Sequence, residues 1–144
     1  TEPALAMQHI ERAHAIVSEK LPEQNKLRIS ITRNFGAMLR HKGHLERAEP
    51  LLEWCKVHDP DSIFSFSNLA LLRHQQGRVK EALELNKQGI SRLSTEANEL
   101  TINYRYGFQM RIAAQHEELD EFDDAADYYQ RAIASALSMQ KGGD

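Results

Sequence analysis

The residues best suited to chemistry in this chain are seven histidines, one cysteine and a short acidic run. His41-Lys42-Gly43-His44 holds the only close histidine pair, and it spans a turn without a cysteine or acidic third ligand beside it, short of what zinc needs. The lone thiol, Cys55, stands where a small buried residue is wanted, so it reads as packing and not as a nucleophile. Asp120, Glu121, Asp123, Asp124 and Asp127 lack the alternating oxygens and mid-loop glycine of a calcium loop and read as favourable charge at a helix N-terminus. No Gly-rich phosphate loop, nucleophile elbow or zinc-helix motif occurs. The expectation is a protein that is not an enzyme and uses no metal and no cofactor.

Composition narrows the partners. In 144 residues, 18 Lys+Arg face 21 Asp+Glu for a net charge of -3, with both signs interspersed. That pattern carries no electrostatic footprint for nucleic acid or for an anionic membrane surface. No stretch approaches the run of apolar residues that spans a bilayer, and Thr1-Glu2-Pro3 does not begin a signal peptide. One cysteine excludes a disulfide scaffold. A soluble, reducing, cytoplasmic setting is expected. Because the chain opens without Met and stops at Gly142-Gly143-Asp144, it reads as a piece of a larger protein.

Any binding residues must be positioned by helices, because β-branched residues are sparse and no run alternates apolar and polar for long. Breaks near residues 21–23, 42–44, 58–61, 76–78, 94–95 and 119–121 define seven helices. Caps are expected at Thr1, at Asp61 or Ser62, and at Ser94 or Thr95. Four helices carry a small residue, a larger one four positions on and a small one three further: Ala6/Ile10/Ala13, Ala48/Leu52/Cys55, Ala82/Asn86/Gly89 and Ala125/Tyr129/Ala132. Their leading alanines are 42, 34 and 43 residues apart. Phe35-Gly36, Leu69-Ala70 and Ile112-Ala113 each place a small residue 12 positions before the following alanine. A fixed helix-turn-helix unit with variable links follows, its small residues allowing two helices to cross closely.

Residues 27–60 resemble the tetratricopeptide repeat (TPR), through Phe35-Gly36, Leu39, Gly43, Ala48, Leu52, Cys55 and Pro60. Residues 61–94 resemble it through Leu69-Ala70, Gly77 and Ala82, and residues 97–140 form a third unit ending in Tyr129-Gln130-Arg131-Ala132. Ala48-Glu49-Pro50-Leu51 and the longer spacings are similar to the repeats of kinesin light chains, although the 34-residue middle spacing departs from that family's regular array. The resemblance implies an all-α, right-handed α-solenoid in which residues 1–144 form one domain, with helix 3–20 a closing helix that lacks its partner. Asn86 and Gly89 replace the usual aromatic and alanine, so looser packing is expected in the middle unit. Pro50 removes one helical donor and is expected to kink its helix unless it lies near the start.

Solenoid geometry puts the first helix of each pair on the concave side, where an extended partner segment would lie. Counting from the large-small pairs, the inward stripe includes Arg33, Asn34, Ala37, Arg40 and His41 in the first unit and Phe64, Asn68, Leu71 and Gln75 in the second. Asn34 and Asn68 share one slot, 34 residues apart, and an asparagine amide both donates to and accepts from a peptide backbone. Similar repeat proteins use asparagines at that slot for peptide capture. The alternative for both is a hydrogen bond between adjacent helices that sets the superhelical register. Arg111 takes the slot in the third unit, where it could meet a carboxylate bidentately, with Asn103 two turns earlier on the same face. Phe64 and Leu71 serve either as a pocket or as core. Arg33, Asn68 and Arg111 fill three slots of the repeats that clamp acidic chaperone tails, but Ala37 and Gly107 leave that clamp incomplete.

The function expected is protein–protein interaction through an extended peptide or partner segment in the groove. Two other readings are a scaffold that forms a homo-oligomer through the apolar C-terminal helix, with Tyr128, Tyr129, Ile133, Leu137 and Met139, and a peptide-sensing regulatory domain of a larger protein.

Overall fold

Local signals place the helices, and packing of small against large residues orders them. In the computed structural model, residues 1–141 are described; the terminal Gly142-Gly143-Asp144 lies outside them. Seven helices follow one another: α1 (Glu2–Lys20), α2 (Lys26–His41), α3 (Leu45–His58), α4 (Ile63–Gln75), α5 (Val79–Ser91), α6 (Glu99–Glu118) and α7 (Phe122–Lys141). The caps differ from expectation. Thr1 and Ser62 precede their helices without a side-chain bond, whereas Asn25 accepts from the backbone N–H groups of Leu27 and Arg28, and Asn98 accepts from Thr101. Asn98 supplies the oxygen that the orphan first-turn donors need, so α6 starts later than Ser94-Thr95 would place it.

Each turn within a helix pair uses one device. The second residue after the first helix takes a left-handed backbone, Gly43 at φ 85° and Gly77 at φ 78°. The next N–H then reaches back to an orphan carbonyl: His44 to Leu39 at 2.8 Å and Arg78 to Arg73 at 2.8 Å. The third turn repeats it without glycine, Asp120 at φ 60° and Glu121 N–H to His116 at 2.9 Å. Pro50 lies inside α3, and the helix continues through it to His58.

The small residues receive their partners closely. A Cβ on Gly36 would lie 2.8 Å from Leu52 Cδ2, and Ala48, Ala70, Ala82, Ala113 and Ala132 are fully buried. The middle unit is not loose, contrary to expectation: a Cβ on Gly89 would lie 2.7 Å from the Phe108 ring and 3.1 Å from Phe66 Cβ. Gly89 is the recess into which Phe108, 1 % exposed, is driven, and burying that ring contributes about 2–3 kcal/mol. Asn86 is also fully buried, satisfied by polar partners. The result is an α-solenoid with A helices α2, α4 and α6 and B helices α1, α3, α5 and α7.

Candidate functional site

The A helices are joined by side-chain rungs that repeat in register. Arg40, four residues after Gly36, donates from Nη1 to Gln75 Oε1 at 2.8 Å; Gln75 returns its amide to the Arg40 carbonyl at 3.4 Å. His74, four residues after Ala70, meets Glu118 Oε1 at 2.7 Å. Both acceptors stand five residues after the small residue of the next unit, so one rung is built twice from equivalent slots. Toward the other end, the Arg33 guanidinium lies 5.1 Å over the Phe64 ring, and Phe64 meets Tyr104 edge-on at 5.6 Å. Arg33 also lies 3.9 Å from Asp59.

Between these rungs lies the asparagine slot. Asn34 is exposed and makes no side-chain hydrogen bond among the described residues. Asn68 donates its amide to the Phe64 carbonyl at 3.0 Å within its own helix, so it does not cross-link neighbours, and its side-chain oxygen stays open. Arg111 lies 4.8 Å over the Phe108 ring, with Nη2 3.3 Å from Ser67 Oγ and Nε 3.4 Å from Asn86 Oδ1. Ala37 and Leu71 line the same stripe half-buried, Phe64 is 42 % exposed, and His41 and Asn103 are exposed at its margins. Arg40 and Arg111 are desolvated enough to pull both guanidiniums below their ordinary pKa. Among the described residues, neither forms an ion pair with a carboxylate.

Asn86 and Gln115 escaped the sequence reading as parts of the site, whereas Cys55 is the packing residue expected. Asn86 looked like a packing defect, yet its amide donates to Gln115 Oε1 at 3.1 Å and its oxygen faces Arg111, so it carries the guanidinium from below. The signal was the polar residue in a slot where repeats hold a large apolar one. Burial pushes the Cys55 thiol up to about 12, and its sulfur reaches the Ile29 carbonyl at 3.7 Å, as a packing residue does. His116, Glu121 and Asp124 bring ligand atoms within 4.8 Å of one another. His116 Nδ1 is 2.5 Å from Glu121 Oε2, which locks the α6–α7 turn; the amide-rich start of α7 favours these carboxylates and disfavours an added cation.

On the B-helix side, the gaps between α1 and α3 and between α3 and α5 are each floored by an A helix. Between α1 and α3 the space is about 220 Å³, lined by Trp54, whose ring is covered by Arg28 at 5.1 Å and by His58 at 4.1 Å. Between α3 and α5 it is about 610 Å³, with Leu69 and Arg73 of α4 at its floor. Arg73 is 6 % exposed and bonds Glu49 at 2.5 Å, Glu53, and Gln76 at 3.0 Å, with Glu81 3.6 Å away.

Comparison with solved structures decides the fold. A protein of Podosopora anserina described as a kinesin light chain with nearly identical TPR-like repeats superposes with TM-score 0.74 at 19 % identity, over 96 % of this chain and 69 % of that one. A point variant of that protein gives 0.77 at 19 % identity with the same coverage. BtubC (BKLC) from P. vanneervenii gives 0.82 at 18 % identity, over 96 % of this chain and 58 % of that one. The fold is a TPR-like α-solenoid. No protein-family model matches the chain, and no curated protein matches it significantly. No described helix of this TPR-like solenoid is long and apolar enough to cross a membrane.

Proposed function

We propose that this TPR-like solenoid is a non-catalytic protein–protein interaction module that holds an extended peptide or partner segment along α2, α4 and α6. The observation that carries the reading is the row Asn34, Asn68 and Arg111. It pairs an unengaged amide and an open amide oxygen with a desolvated guanidinium that lacks a carboxylate. The amides suit a peptide backbone of any sequence, and Arg111 suits an acidic side chain or a terminal carboxylate, which it would bind through two parallel bonds. The rungs below, Arg40–Gln75 and His74–Glu118, hold the three helices at fixed spacing, so the row is organised before a partner arrives. The test is capture from native lysate with mass spectrometry, comparing wild type with Asn34→Ala/Asn68→Ala and with Arg111→Gln, at matched helicity. Partners lost by both variants support the groove; the same partners retained by both overturn it.

The second reading is self-assembly. Ile133 is 59 % exposed and Leu137 53 %, and with Met110 and Tyr129 they border an apolar hollow of about 440 Å³ between α6 and α7. An isologous contact through α7 would cover it. Light scattering across concentrations tests this: a dimer dispersed by Ile133→Asp/Leu137→Lys supports it, and a monomeric wild type removes it.

A further inference from the structure

We propose that the open gap between α3 and α5 is a second docking site, one that takes a large apolar side chain of a protein partner together with an adjacent lysine or arginine.

The gap is open because one slot in it holds the wrong residue for closure. Six residues after its leading alanine, α3 carries Trp54, which narrows the gap toward α1 to about 220 Å³. Six residues after Ala82, α5 carries Gln88, which faces the gap toward α3 and is too small to fill it. The unfilled space of about 610 Å³ has the size of a small ligand pocket. The helices cannot slide together to close it. Gly89 seats Phe108 of α6 and Phe66 of α4 against α5, and Arg73 braces α3 and α5 through Glu49, Glu53 and Glu81.

The walls specify the occupant. Val57, 72 % exposed, stands with Pro60, Leu69 and Leu85 as an apolar lining that water covers poorly. Its charged residues are three carboxylates, Glu53, Glu81 and Glu84, against two cations, Lys56 and Arg73. Arg73 and Arg78 engage the first two, and Lys56 turns its ammonium over the Phe66 ring at 5.2 Å. Glu84 is exposed, receives only the Gln88 amide at 3.4 Å, and has no cationic partner among the described residues. An apolar side chain in the gap therefore places its neighbours beside an unpaired carboxylate, where a lysine or arginine is favoured and an acid repelled. This site uses B helices and the Leu69–Arg73 stripe of α4, so it is separate from the row Asn34, Asn68 and Arg111.

The test selects a displayed library of random dodecapeptides on the wild type and measures the enriched peptides by fluorescence anisotropy. Gln88→Trp narrows the gap as Trp54 narrows its counterpart, and Glu84→Lys reverses the charge of an exposed side chain. The proposal expects peptides that couple a large apolar residue to a nearby Lys or Arg, each weakened about ten-fold or more by either variant and unchanged by Asn34→Ala/Asn68→Ala. Circular dichroism checks Gln88→Trp; should it misfold, Glu84→Lys decides. Enriched peptides without a basic residue, or peptides that bind both variants as wild type, overturn the proposal. So does wild-type self-association that Gln88→Trp abolishes while no peptide is enriched, since the gap then belongs to a second copy.

Discussion

The gap between α1 and α3 and the gap between α3 and α5 share one plan: two B helices over an A helix, with an arginine partly sunk between them. In the first, the Arg28 guanidinium lies 5.1 Å over the Trp54 ring and donates to the Leu21 carbonyl at 2.8 Å, so its charge is spread over a ring and a helix end. In the second, Arg73 is buried more deeply and meets carboxylates directly. An aromatic plug fills space and holds charge together; an ion-pair brace holds distance and leaves space open. A solenoid joint is secured either by volume or by charge, and the second leaves the larger space, about 610 Å³ against about 220 Å³.

Arg73→Ala is expected to destabilise the protein most. Removing the guanidinium leaves Glu53 without a cationic partner and Glu49 and Glu81 with Arg78 alone, and the loss is about 3 kcal/mol, below the full cost of a deeply buried pair because the carboxylates reach water. Arg28→Ala, which gives up a ring contact and one hydrogen bond, costs about 1 kcal/mol. Urea titration followed by circular dichroism measures both, and equal losses would erase the distinction.

The repeat and its turns were legible in the sequence because they depend on residue size at fixed spacing. Gly36, Ala70 and Ala113 announce close crossings, and Gly43 and Gly77 announce left-handed turns, without reference to any distant partner. Asp120 hides the third turn, since its left-handed backbone is recognisable only from the break around it. Which residues share a face of the A helices could be counted, but how they bond to one another could not. Whether Asn68 serves its own helix or a neighbour, and whether Arg111 finds a carboxylate, depends on side-chain direction across helices 44 residues apart. The two gaps were invisible for the same reason: Trp54 and Gln88 acquire meaning only once α1, α3 and α5 are side by side. Gly89 misled because its lost Cβ reads as a void until Phe108 is seen to occupy it.

Exchanging the residues at positions 54 and 88 has a smaller effect than removing Arg73. Trp54→Gln opens the first gap and exposes Leu51 and Thr32 beneath, at a cost of about 2 kcal/mol, less than for a fully buried tryptophan because Trp54 is half-buried. Gln88→Trp should raise stability by about 1 kcal/mol by covering Val57 and Leu85. Denaturation midpoints that move in the same direction would show that the two slots are not equivalent. A still smaller effect is expected at Gly89→Ala. The added Cβ presses on Phe108 and Phe66, and the gain in helix propensity offsets part of the strain, leaving about 1 kcal/mol of loss. Gly36→Ala should cost less, because the nearest atom there is the rotatable end of Leu52.

The smallest effect separates the gaps by pH. In the first, burial beside Arg28 holds the His14 imidazole below its ordinary 6.5, only partly opposed by Glu11. The folded state thus resists protonation: the contribution of His14 is complete above pH 6.5 and declines as pH falls through its lower folded value. In the second, hydrogen bonds from Gln76 and Arg73 hold the Glu49 carboxyl below its ordinary 4.5. Its contribution is complete above pH 4.5 and is lost only as pH falls through that depressed value. Acidification should weaken the aromatic joint first and the charged joint second. Urea midpoints at stepped pH test the order, with His14→Gln removing the upper decline and Glu49→Gln the lower. Trp54, the sole tryptophan, reports the first gap directly, since His14 and its ring line the same space. An emission change at Trp54 that tracks the Glu49 window and ignores His14 would mean the joints titrate as one unit, and the division between volume and charge would fail.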